Sequence, residues 1–129
     1  MMKKFFTAAM AVTLALTFTA CSSLYTGTNL HEMKLAESES LHTIAHINAE
    51  VWGVYLFGIL PLFTGSTASP GACAVFKDTV RIDNTTSMLT KKAAEMEASR
   101  VLSVSSHTSS MWFLLFSMKS VQMSGNAVK

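Results

Sequence analysis

The sequence predicts an α/β chain of the α+β kind, with one main helix set among several strands. Three observations point there. Met88, Leu89, Lys92, Ala93 and Met96 recur on one helical stripe, with the Lys92 stem able to lie along it. Residues 51–63 (VWGVYLFGILPLF) are apolar, rich in β-branched and aromatic side chains, and punctuated by Gly53, Gly58 and Pro61, which suggests a strand followed by a bend. Near the end, Val121, Met123, Gly125 and Ala127 alternate with Ser120, Gln122, Ser124 and Asn126, the period of a strand.

The first 21 residues stand apart from this pattern. Lys3 and Lys4 precede an apolar run over 5–18, which closes on Phe18-Thr19-Ala20-Cys21 and is followed by Ser22-Ser23. A run of about 14 residues falls short of the roughly 20 that span a bilayer as a helix. It reads as the apolar core of an export signal, with the lysines favouring translocation of the chain downstream. The close of the run resembles the lipobox of bacterial lipoproteins, with Phe18 where leucine is usual. That likeness implies cleavage between Ala20 and Cys21, a diacylglycerol thioether on Cys21 and an acylated new amino terminus. It implies no other cofactor. Ser22 is similar to the pattern that sorts such proteins to the outer membrane, facing the periplasm. Cleavage after Ser22, with Ala20 three residues back, is the alternative and gives a soluble periplasmic protein.

Removing residues 1–20 from the 129 leaves 109, enough for one small domain. Taking Lys3 and Lys4 from the ten basic residues leaves eight against eight acidic ones. A neutral mature chain with no basic stripe argues against a nucleic-acid partner. The expected organisation is therefore a signal peptide over 1–20, a flexible tether over 21–40 carrying the lipidated Cys21, and a small domain over 41–129. With Cys21 acylated, Cys73 has no partner within the chain, and it is expected either buried among Ala72, Ala74 and Val75 or paired between chains.

Along the domain, a strand is expected from about Leu41 through Ile44, Ile47 and Val51, with a helix over 40–50 as the alternative. Residues 65–71 (GSTASPG) read as a loop, and 72–82 as a short extended segment. Asp83, Asn84 and Thr85 are candidate N-caps for a helix over about 86–98. A strand over 101–105, a serine-rich turn over 105–110 and a last strand or hairpin over 111–128 complete the chain.

The order of helix, Ala98-Ser99-Arg100-Val101, strand, and closing Ser124-Gly125-Asn126-Ala127-Val128 resembles the YbjQ-like, RcsF-like and TRL-like groups of small envelope lipoproteins. Those groups carry Gly-Ala-x-x-Val after the helix and Gly-Thr-Ala-Val at the close. This chain has Glu97 and Asn126 where glycine and threonine are usual. The resemblance covers residues 84–128 and implies a two-layer domain, one helix packed on a mainly antiparallel sheet, without enzymatic activity.

Two sets of residues are candidates for function. His42 and His46 are four apart, so a helix would bring both to one metal ion, whereas a strand holds them about 13 Å apart. Solvated histidines are the plainer reading, and a periplasmic pair could also sense pH. The second set is Trp52, Tyr55, Phe57, Trp112, Phe113 and Phe116, from two similar runs, WGVYLF and WFLLF. These six would make much of the core of a small domain. If residues 60–63 or 112–118 are exposed instead, they mark a contact with a membrane, a protein partner or a second copy. The runs themselves either match by chance or pair in one sheet to form a shared patch.

No GxSxG, SxxK or phosphate-loop pattern supports catalysis. The expected function is a membrane-anchored, non-catalytic structural, interaction or envelope-stress module. The alternative is a metal- or pH-responsive binding module using His42 and His46.

Overall fold

The computed structural model describes residues 22–28 and 41–129. The signal segment, the Ala20–Cys21 cut, acylation at Cys21 and tether residues 29–40 lie outside them. The described elements are β1 (Ser22–Gly27), β2 (Thr43–Leu56), β3 (Leu60–Gly65), β4 (Cys73–Val75), α1 (Ile82–Glu95), β5 (Arg100–Phe113) and β6 (Phe116–Val128). All strand pairs are antiparallel, in the order β4-β3-β2-β6-β5, and β1 also pairs with β2. The fold is α+β and dominated by its sheet.

Strict alternation along β2 builds the core. Ala45, Ile47, Ala49, Val51 and Tyr55 are buried, and their neighbours in sequence point to the other face. The register with β6 pairs Val51 with Val121, Ala49 with Met123 and Ala45 with Ala127, so the buried side chains of both strands share one face. Met88, Leu89 and Ala93 of α1 join this cluster. Each large aliphatic side chain buried there contributes about 1.5–3 kcal/mol. Gly125 leaves room for Val101 and Val104 of β5, which occupy the space a Cβ would need.

The strand expected from about Leu41 is β2, and the helical alternative over 40–50 is not what forms. Three other expectations are corrected. Residues 22–27, assigned to the tether, form β1, because their backbone pairs with residues 46–51 of β2, too remote in sequence for local pattern to reveal. The serine-rich segment 105–110 does not turn. It continues β5, held by the ladder to β6 and by hydroxyl pairs Ser105–Ser124 and Ser109–Ser120, both 2.9 Å.

The helix starts earlier than expected, and Asp83, Asn84 and Thr85 lie inside it instead of capping it. Arg81 holds the N-cap position without a side-chain cap bond. The hydroxyls bond backwards: Thr85 Oγ1 donates to the Arg81 carbonyl at 3.0 Å and Thr86 Oγ1 to that of Ile82 at 2.8 Å. Asp83 in the first turn complements the helix dipole.

At the other end, Glu97 N–H donates to the Ala94 carbonyl and Ala98 N–H to that of Ala93, both 3.0 Å, which is the Schellman closure. Glu97 sits at φ 58°, the left-handed conformation that glycine adopts without penalty. The Glu97 carboxyl is held below its ordinary pKa, first by the hydrogen bond from Lys129 Nζ and then by that charge. A lowered folded pKa adds stability above the unfolded value, and this is lost as pH falls through the folded one. Glu97→Gly is therefore expected to raise the thermal midpoint, with an advantage that grows on acidification; melts from neutral to acid pH measure it.

Candidate functional site

Two hairpin turns meet at one end of the sheet. Residues 57–59 join β2 to β3, and Leu114 and Leu115 join β5 to β6. Turns usually carry Gly, Asn, Asp, Pro or Ser. Here they read Phe57-Gly58-Ile59 and Leu114-Leu115. Phe57 (φ 52°) and Leu114 (φ 47°) are both left-handed, at a cost of about 1–2 kcal/mol for each such L-residue. Ile59 is 84 % exposed and Leu114 fully so.

The turns are tied to each other. Phe57 N–H donates to the Leu115 carbonyl at 2.7 Å, and Ile59 N–H to that of Leu56 at 3.2 Å. The Trp112 ring lies against Gly58, in the space a Cβ would need. Lys119 Nζ donates to the Gly58 carbonyl at 2.9 Å and sits 4.5 Å from the centre of the Tyr55 ring, a cation–π contact.

The apolar surface continues onto the sheet face opposite α1. Val75, Phe63, Val54, Met118 and Met111 are successive cross-strand partners, a row five strands wide. Leu60, Leu56, Phe116 and Phe113 form the next row toward the turns. Six of these nine side chains are exposed, and the other three are half-buried. Farther down the same face the cross-strand sets become polar: Glu50, Gln122 and His107, then Asn48, Ser124 and Ser105.

Of the six aromatics singled out from sequence, Tyr55 is core at 2 % exposure, and Trp52 is half-buried. Phe57, Trp112, Phe113 and Phe116 are exposed and stand together at the hairpin end. The two aromatic runs share one sheet, with Leu56 opposite Phe116 and with Tyr55 and Trp112 both opposite Ser117. Leu114 and Met118, within the candidate segment 112–118, join this surface, and so do Ile59 and Met111, which the sequence reading does not single out. Two signals point to them: bulky residues where turn formers belong, and the absence of Asp, Glu, Lys and Arg over 51–76 and 101–118.

The histidines do not converge on one ion. His42 precedes β2, and its backbone N–H and carbonyl pair with those of Lys129. His46 is exposed on β2, with Nδ1 2.7 Å from Asn126 Oδ1. Among the described residues, no three His, Cys, Asp or Glu side chains gather at metal-binding spacing. Cys73 is half-buried and disulfide-bonded, whereas an acylated Cys21 implies a buried thiol or a bond between chains.

Tyr55 braces the hairpin end from beneath, its hydroxyl donating to Asp78 Oδ1 at 2.6 Å. Burial raises the phenol pKa well above its ordinary 10.0, and the hydrogen bond and negative charge of Asp78 raise it further. A raised folded pKa gives stability that is complete below the unfolded value and lost as pH rises through the folded one. Tyr55→Phe is expected to cost about 1 kcal/mol at neutral pH through the lost hydrogen bond. That deficit shrinks above the unfolded pKa of 10.0, where the wild type itself weakens; urea unfolding of both proteins from neutral to alkaline pH reads the difference.

No helix among the described residues is long and apolar enough to cross a membrane. No family model, curated protein or solved structure matches the chain.

Proposed function

We propose that the chain is a non-catalytic interaction module of a bacterial cell envelope, exported by residues 1–20, whose working surface is the apolar hairpin end. In this reading α1 forms a second layer on one face of the sheet and leaves the opposite face open. The observation that carries it is the joining of two turns into one exposed apolar end, with Phe57 and Leu114 in left-handed backbone. Strained backbone concentrates at functional sites, and large exposed apolar patches mark contacts.

The disulfide at Cys73 fits an oxidising compartment such as the periplasm. The proposed attachment to the outer membrane, facing the periplasm, uses the Cys21 sulfur as a thioether. The chain has two cysteines, so a bond from Cys73 within the chain and a thioether at Cys21 compete for one sulfur. Intact mass of protein extracted from its host membranes decides between them. Residues 21–129 with three acyl chains supports the anchor. An unacylated mass, two hydrogens short of two free thiols, overturns it and leaves an exported module closed by a disulfide.

The contact surface has its own test. Ile59→Asp with Leu114→Asp is expected to leave the thermal midpoint and the cellular amount unchanged, because both side chains project away from the core. The double variant should fail to replace the wild-type gene in a deletion strain. Full complementation by this variant sinks the reading.

A further inference from the structure

We infer that the occupant of the hairpin end is a lipid bilayer interface, and that the two turns dock into it side by side. This inference rests on the proposed contact surface and names its partner.

The first argument is backbone pairing. A polar backbone group that enters lipid must be paired within the protein, since no water reaches it there. At this end the pairing is made by the turns themselves. Phe57 and Ile59 N–H donate to the Leu115 and Leu56 carbonyls, and the Gly58 carbonyl accepts from Lys119. These bonds meet, for those three groups, the pairing that lipid demands.

Shape is the second. The apolar residues sit on two protruding turns with Leu114 wholly exposed, not in a groove that a protein segment could fill. Trp112 lies just behind Leu114, where an indole favours the boundary between headgroups and acyl chains.

Charge is the third. The stretches 51–76 and 101–118 contain no Asp, Glu, Lys or Arg, and the charge held at the turns is a cation, the half-buried Lys119 ammonium that donates to the Gly58 carbonyl. The first charged residues reached on leaving the turns toward the C-terminus are Lys77 and Lys119. Both are cations; Lys77 is exposed and complements lipid phosphates, while Lys119 is engaged by the Gly58 carbonyl and the Tyr55 ring. The acid next in line, Asp78, accepts the Tyr55 hydroxyl hydrogen bond.

The test uses Trp112 as a depth probe. The chain has two tryptophans, so Trp52→Phe makes Trp112 the sole emitter. The full-length protein is reconstituted into phosphatidylcholine vesicles with lipids brominated near the headgroup end of the acyl chains. The expected result is a blue shift and loss of Trp112 emission relative to unbrominated vesicles. Both effects should vanish in Ile59→Asp/Leu114→Asp, and anionic phosphatidylglycerol should strengthen them in a salt-sensitive way. An acyl anchor alone holds the protein at the vesicle without quenching Trp112, so unquenched emission overturns the inference. If emission is unquenched while the double variant still fails to complement in cells, the contact surface stands and its partner is a protein. If the variant also complements, both readings fall.

Discussion

The antiparallel register between β2 and β6 is the constraint on which the other features rest. It runs from Thr43 opposite Val128 to Leu56 opposite Phe116. Because side chains alternate, this register puts Ile47, Ala49 and Val51 on the face with Met123 and Ala127, beneath Met88, Leu89 and Ala93. A slip of one residue would carry that set to the opposite face and expose it. The same register also fixes where the chain reverses. Since β2 ends at Leu56 and β6 begins at Phe116, the turns to β3 and from β5 emerge beside one another. The core and the hairpin end are thus two results of one strand pairing.

That pairing also divides the face opposite α1 along the length of the strands. Near the turns the cross-strand sets are wholly apolar, and farther down they carry Glu50, Gln122, His107, Asn48 and Ser124. A sheet face open to water usually alternates cleanly with the core face. Here the outward positions keep that alternation at one end and abandon it at the other. The change coincides with the end of the cluster under α1, whose β2 members are Ile47, Ala49 and Val51. Beyond it the sheet is apolar outward at Val54 and Leu56 and buried inward at Tyr55.

Much of this was legible in the residues. The alternation over 120–128 and the stripe Met88, Leu89, Ala93 identified β6 and α1, because each expresses its own period locally. The left-handed backbone of Glu97 was not legible, since glutamate at a helix end gives no local sign of a positive φ. What else escaped depends on remote partners. β1 exists through pairing with residues 46–51, and nothing in Ser22-Ser23-Leu24-Tyr25 announces it. Segment 105–110 has the composition of a turn, yet its hydroxyls find Ser124 and Ser120 on a neighbouring strand. At the hairpin end, apolarity was plain while its exposure was not. A run such as WFLLF has the same composition inside a core as on a surface, and only the placement of the turns separates the two.

The hairpin end also has to be reconciled with stability. A small domain has a modest margin, of order 5–15 kcal/mol. Two bulky left-handed turn residues draw about 2–4 kcal/mol from it, at 1–2 each. The offsets lie directly beneath the turns: Trp112 on Gly58, the Phe57–Leu115 hydrogen bond, and Lys119 held between the Gly58 carbonyl and the Tyr55 ring. Polar turn residues would avoid both the strain and the exposed surface. These contacts hold the strained turns in place while leaving Ile59 and Leu114 exposed. The β2–β6 register that builds the core thus also sets the two turns side by side above these supports.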